Sequence, residues 1–215
     1  MRFARLLLME LRIFMENEII LIGAFGEMCE LAEICGKKIV GIIDNNLNDT
    51  FRGIPIIGKD EDAQILFKKF YSIPVVVTPD KPQVRKKLVE YYRRIGYKFS
   101  TLISPQAFIS PSAEIGNGTV IQSFCNVSSN STIGDFCKLN TFSNVMHDNI
   151  IGDFTTIAPS AVLLGRVEIG EKAYIGANAT ILPGTKVGAD VIVGAGSVVT
   201  KNIPSNSIVK GVPAK

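Results

Sequence analysis

The chain has 215 residues, 47% of them hydrophobic and 20% charged, the composition of a folded globular protein and not of a disordered or fibrous one. Its 23 basic and 20 acidic residues leave a net charge of +3 spread along the chain, too balanced for a nucleic-acid footprint. A single histidine, His147, and no tryptophan exclude metal sites and hydrolytic centres built from several histidines, so any imidazole chemistry falls to His147.

Residues 1–14 carry two arginines ahead of an apolar run, but Glu10 and Arg12 break that run and no small-residue cleavage site follows, which argues against a secretory signal. No segment reaches the ~18 apolar residues a membrane span needs. Met15 stands just before a strand, so residues 1–14 read as a dispensable N-terminal extension, with a peripheral membrane helix as the alternative. Cys29, Cys35, Cys125 and Cys137 form no C-x-x-C pair, as expected of reduced thiols in a cytoplasmic protein.

Residues 15–98 predict a small Rossmann-like α/β domain. The run from Glu18 to Gly23 reads as a buried parallel strand, followed by the turn Gly23-Ala-Phe-Gly26, a helical stretch closed by Gly36, and a second strand from Lys38 to Asp44. A helix near Ala63 to Tyr71, a strand from Ile73 to Thr78 and a basic helix from Gln83 to Gly96 complete the alternation. Such a turn brings backbone N–H groups and a helix N-terminus to the carboxyl ends of the strands, which suits an anionic or nucleotide ligand. Asp44, with Asn45, is the residue pair placed to meet that ligand. The full G-x-G-x-x-G pattern is not met, which counts against NAD, and a purely structural cap is the ligand-free alternative. Arg85, Lys86, Lys87, Arg93 and Arg94 read as a solvated helix face.

Residues 99–203 follow another rhythm. From Ile103 through Ile109, Ile115 and Ile121 to Val199, every sixth residue is Ile, Leu or Val without a break, and the residue four places after each is almost always small or β-branched. Neither a helix nor simple strand alternation gives period six, whereas a short strand plus a turn, repeated, does. The pattern predicts a parallel β-helix with the aliphatic residues inside, between five and six coils if each takes about 18 residues. Gly116, Gly134, Gly152, Gly170, Gly176, Gly188 and Gly194 directly follow core positions, where sterically tight bends are expected. Cys125 and Cys137 fall on small-residue positions of the repeat and read as packing. Residues 204–215 form a C-terminal tail.

A Rossmann-like domain with a Gly-Ala-x-Gly turn, followed by hexapeptide repeats and ending in Gly211-Val-Pro-Ala-Lys215, resembles the sugar acetyltransferases of the sialic-acid and bacillosamine type. The most specific stretch runs from Asn140 to Phe154, where the family carries His, then an acid, then Ile-Gly-Asp/Glu-Phe. The resemblance implies a three-sided, left-handed β-helix, a homotrimer, acetyl-CoA as co-substrate, and acetylation of the 4-amino group of a nucleotide-linked deoxy sugar. O-acetylation of a sialic-acid-like sugar and a non-catalytic nucleotide-sugar-binding scaffold are the alternative functions.

His147 as general base suits proton removal from the acceptor at neutral pH, and Asp148 can orient the ring, provided a bend brings two adjacent side chains together. By resemblance, Gly165, Ala177 and Ala195 line the pantetheine between subunits, Thr156 takes the place of a second histidine that touches acetyl-CoA in some relatives, and Lys201 and Lys215 serve the CoA phosphates. The acceptor turn departs from the relatives: Phe25 and Glu27 flank Gly26 where some carry Ser and His. A first-turn Glu competes with a bound diphosphate for the helix N-terminus.

Overall fold

A computed structural model of the protein describes residues 17–215. The extension expected at residues 1–14 lies outside the described residues. The chain divides into two compact units, residues 17–78 with 88–100, and residues 79–87 with 101–215.

The first unit contains β1 (Glu18–Ile22), α1 (Gly26–Ile34), β2 (Lys38–Ile43), β3 (Thr50–Phe51), β4 (Ile54–Gly58), α2 (Ala63–Phe70) and β5 (Val75–Val77). Helix α3 (Pro82–Ile95) gives residues to both units. The sheet order is β3-β4-β2-β1-β5, parallel except for β3. Ile19 to Ile22, Ile42, Ile43 and Val75 to Val77 are all buried, the continuous apolar runs that a parallel strand covered on both faces requires.

Strands β3 and β4 were not legible in the sequence, because Ile54-Pro-Ile-Ile-Gly58 is short and holds a proline. The sheet tolerates it because Pro55 lies outside the stretch paired with β2, which begins at Ile42↔Ile56. Strand order reverses beside β1, between β2 and β5, the switch point where open α/β sheets bind ligands. There the Thr78 hydroxyl donates to the carbonyls of Ile22 (2.7 Å) and Gly23 (3.0 Å), tying the ends of β1 and β5 together.

The second unit is a three-sided parallel β-helix. Its faces are a seven-stranded sheet from Leu102–Ile103 to Ile208–Val209, a six-stranded sheet from Phe108–Ile109 to Val198–Val199, and a five-stranded sheet from Glu114–Ile115 to Lys186–Val187. Neighbouring strands lie 18 residues apart, and the second residue of each two-residue strand points into the axis. The last turn of the helix is shorter: Ile192 pairs with Ile208, and Ala214 is buried beneath it. The segment read as a C-terminal tail therefore supplies a strand, which the six-residue beat could not signal because the period changes there.

Two positions shape each corner. The residue three after the core position is left-handed, with φ between 54° and 62° at Phe124, Asn130, Phe136, Phe142, Asp148 and Phe154. The next residue, such as Cys125, Ser131, Cys137 or Asn149, turns inward and is buried. The glycines that follow core positions serve a different purpose from a left-handed bend. A Cβ on Gly152 would stand 2.6 Å from the backbone nitrogen of Glu171, and one on Gly176 would stand 2.6 Å from that of Ala195. Close approach of the next coil excludes a side chain there. Cys137 donates to the Gly152 carbonyl at 3.2 Å, and burial pushes its thiol up to about 12, so it packs and does not react.

Candidate active site

His147 and Asp148 occupy the corner between the six- and five-stranded faces. Side chains of adjacent residues on a regular strand diverge. Here Asp148 is left-handed at φ 58°, and the bend returns its carboxylate onto the ring: His147 Nδ1 and Asp148 Oδ2 are 2.7 Å apart. Backbone bonds fix this corner to the coils on either side, Asp148 N–H donating to Ser129 O (2.9 Å) and Arg166 N–H to His147 O (3.0 Å).

The second carboxylate oxygen of Asp148 accepts a hydrogen bond from Asn130 Nδ2 at 3.2 Å. The bonds from His147 and then Asn130 hold the Asp148 carboxyl below the usual carboxylate range, so it is ionised at neutral pH. Both side chains of the pair are nearly half exposed. With Nδ1 committed to the carboxylate, Nε2 is the ring nitrogen left for a substrate proton. The Cε1 and Nε2 side of the ring lies next to Gly165: a Cβ at that position would be 2.6 Å from both atoms. Glycine one coil above the histidine is what leaves room for the imidazole.

Lys201 lies on the same corner, three coils beyond His147 and exposed. Ala177 and Ala195 lie on another corner, between the seven- and six-stranded faces, where Ala177 O accepts from Gly196 N–H. One chain therefore does not bring these alanines to His147.

Thr156 is placed differently from the expectation that it faces acetyl-CoA. It is fully buried; its hydroxyl donates to Asp80 O (2.6 Å) and accepts from Arg85 Nη2 (2.9 Å). Arg85 likewise departs from the solvated face read for it. It is 1% exposed, donating through Nε to Phe136 O, through Nη1 to Pro79 O and Asp80 O, and through Nη2 to Phe154 O. Beside it the buried Lys138 ammonium meets Asp80 Oδ1 at 2.8 Å. Residues 79–87 close over this part of the β-helix, which removes Thr156 from the surface. A basic run in a helix carries no sign of which cation turns inward, so the sequence could not single out Arg85.

In the first unit, Gly23 is left-handed (φ 97°), and a Cβ there would stand 2.7 Å from Thr78 Oγ1, so the turn needs glycine. Phe25 precedes α1 and is exposed, Gly26 opens the helix, and Glu27 is exposed in its first turn. Asp44 is engaged with the loops: its carboxylate accepts from the backbone N–H groups of Ala24 (2.9 Å), Asn46 (2.9 Å) and Leu47 (3.2 Å). Asn45 pairs with Asp60. Asp44 thereby braces the switch-point turn through Ala24, while Asn45 ties the loop after β2 to the segment that follows β4. Sequence reasoning passed over Arg52, whose guanidinium lies against Gly26 and pairs with Glu30 at 2.7 Å, placing a cation beside the acidic start of α1.

The bacterial transferase hexapeptide (six repeats) model matches residues 166–201. Comparison with curated proteins gives no match. Among solved structures, the chain is similar to a variant of GDP-perosamine N-acetyl transferase from Caulobacter crescentus in complex with CoA and GDP-perosamine (31% identity, 92% of this chain and 95% of that one, TM-score 0.88). It is also similar to the acetyltransferase domain of PglB from Neisseria gonorrhoeae FA1090 in complex with acetyl coenzyme A (33% identity, 93% and 98%, TM-score 0.85). A third is WeeI from Acinetobacter baumannii AYE (31% identity, 92% and 98%, TM-score 0.80). Similarity of this extent covers both units and the His147 corner alike, and with it the chain belongs to the hexapeptide-repeat sugar N-acetyltransferases, whose β-helix is left-handed.

Proposed function

We propose that this protein transfers the acetyl group of acetyl-CoA to the 4-amino group of a nucleotide-linked amino-deoxy sugar, with His147 as general base. The observation that carries the reading is the His147–Asp148 contact of 2.7 Å, which leaves Nε2 available on a half-exposed ring. His147 Nε2 takes a proton from the acceptor amine as its nitrogen attacks the thioester carbonyl. Asp148 stabilises the imidazolium that forms. As the tetrahedral intermediate collapses, the C–S bond breaks and the proton passes from His147 to the departing sulfur, giving the amide and free CoA thiol.

The acceptor's nucleotide is assigned to the Gly23–Gly26 turn, with Phe25, Gly26, Glu27, Asp44 and Asn45 around it and Asp44 also bracing the turn through Ala24 N–H. Lys201, three coils or ~14 Å from His147 along the corner, is in reach of CoA's phosphate end. Ala177 and Ala195 supply close backbone approach for the pantetheine from a neighbouring subunit, since they lie on a corner that their own His147 does not share. Thus the site needs a second copy, in keeping with a homotrimer. Thr156 takes no part in binding. Acetyl-CoA and nucleotide sugars are cytoplasmic pools, which supports a cytoplasmic location.

The test is release of free thiol from acetyl-CoA against a panel of UDP-, GDP- and dTDP-linked amino sugars. Thiol release with one member, abolished by His147→Ala, is expected. Full activity in that variant would overturn the mechanism. Nucleotide-sugar binding without any thiol release would return the protein to a scaffold role.

A further inference from the structure

Asn130 lies one coil below Asp148 on the same corner and belongs to no part of the catalytic reading given so far. We infer that Asn130 is a positioning residue: its side-chain amide fixes Asp148, and through Asp148 the plane and tautomer of His147. This inference rests on the proposed acetyl transfer.

A carboxylate on a half-exposed corner can rotate about its last bond, and only one of its oxygens is held by the imidazole. Asn130 Nδ2, 3.2 Å from Oδ1, holds the other. Rotation of the carboxylate then costs two charge-assisted hydrogen bonds instead of one. Asn130 is itself held, because it is left-handed at φ 56° and its backbone N–H donates to Ser112 Oγ at 3.1 Å. Gly165 bounds the imidazole from the opposite side, one coil above. The ring is thus confined by Gly165, its tautomer set by Asp148, and Asp148 set by Asn130. An amide suits this place because it donates without adding charge, so Asp148 keeps its full negative charge for the imidazolium.

The single histidine makes the test unusually direct, since every imidazole nitrogen signal belongs to His147. In protein labelled with nitrogen-15 at about pH 8, above the usual histidine range, the wild type should show one protonated and one unprotonated ring nitrogen. Asn130→Gly keeps a residue suited to positive φ and removes only the amide. Its two ring-nitrogen shifts should move toward each other as the tautomers exchange. Its kcat should fall about tenfold with the KM for acetyl-CoA unchanged, the cost of a misaligned base. Asn130→Asp, of the same shape but with an acceptor replacing the donor, should lose kcat likewise.

In an Asp148→Asn background the Asn130→Gly change should cost nothing further, because groups acting through one another are not additive. Unchanged ring-nitrogen shifts, full kcat in Asn130→Asp, or a full additional loss in the Asp148→Asn background would each overturn the assignment. If the wild type released no thiol, the acetyl-transfer reading would fail, while the ring-nitrogen spectra would still decide whether Asn130 sets the tautomer.

Discussion

The corner that carries Phe136 and Phe154 and the corner that carries Asp148 share one backbone, with a left-handed residue three places after each core aliphatic and a buried small residue next. On the first, the two rings stack 5.3 Å apart at 10°, and Arg85 takes the carbonyls of both residues. Stacking and buried hydrogen bonds offset the roughly 1–2 kcal/mol that a left-handed residue costs. On the second, the side chains stay near half exposure, and the same bend is used to press a carboxylate against an imidazole. The repeat therefore supplies a uniform scaffold, and what covers a corner decides whether its turn is locked by packing or left open, as it is at the proposed catalytic corner.

His147→Ala should remove the chemistry from the open corner and leave the covered one intact: thiol release should drop by roughly 10²–10⁴, with an unchanged melting temperature. Arg85→Met should do the reverse. It strands buried carbonyls at Phe136 and Phe154, costing about 3–5 kcal/mol, or on the order of 10 °C in Tm, read by calorimetry. Gly165→Ala tests whether the open corner is limited by space. The added methyl displaces the ring from Gly165, and kcat should fall on the order of 10²-fold with circular dichroism unchanged.

The smallest effect concerns Asp190, on the same edge as Phe136 and Phe154. Lys172 Nζ, 2.6 Å away, holds its carboxyl below the usual range. A depressed folded-state value means the contribution is present above about pH 4, the ordinary range for a carboxylate, and is lost as pH falls through the folded value. Asp190→Asn should therefore slightly flatten the loss of Tm between neutral and acid pH. The change should be small because the pair is solvent-screened.

Period six made the β-helix legible, because an aliphatic residue at every turn into a narrow axis leaves a mark in one dimension. His147 was legible for a related reason, being the lone imidazole beside an acid within that beat. Helix α1 and strands β1, β2 and β5 followed from apolar runs and glycine punctuation. Strand β4 escaped because its proline is tolerated only through its register with β2. The last strand, Ile208–Val209, escaped because the coil shortens.

By itself the sequence determined which residues face the axis, where the corners fall and where the one imidazole stands beside an acid, since these depend on local spacing and residue type. Only the tertiary structure decided that Arg85 and Thr156 are buried, that Asp44 braces a turn, that Gly165 supports the imidazole and that Asn130 grips Asp148. The deciding contacts, Asn130 to Asp148, Ala24 to Asp44 and Arg85 to Thr156, join residues 18 or more positions apart, and a one-dimensional pattern holds no record of which side chains come to share a volume.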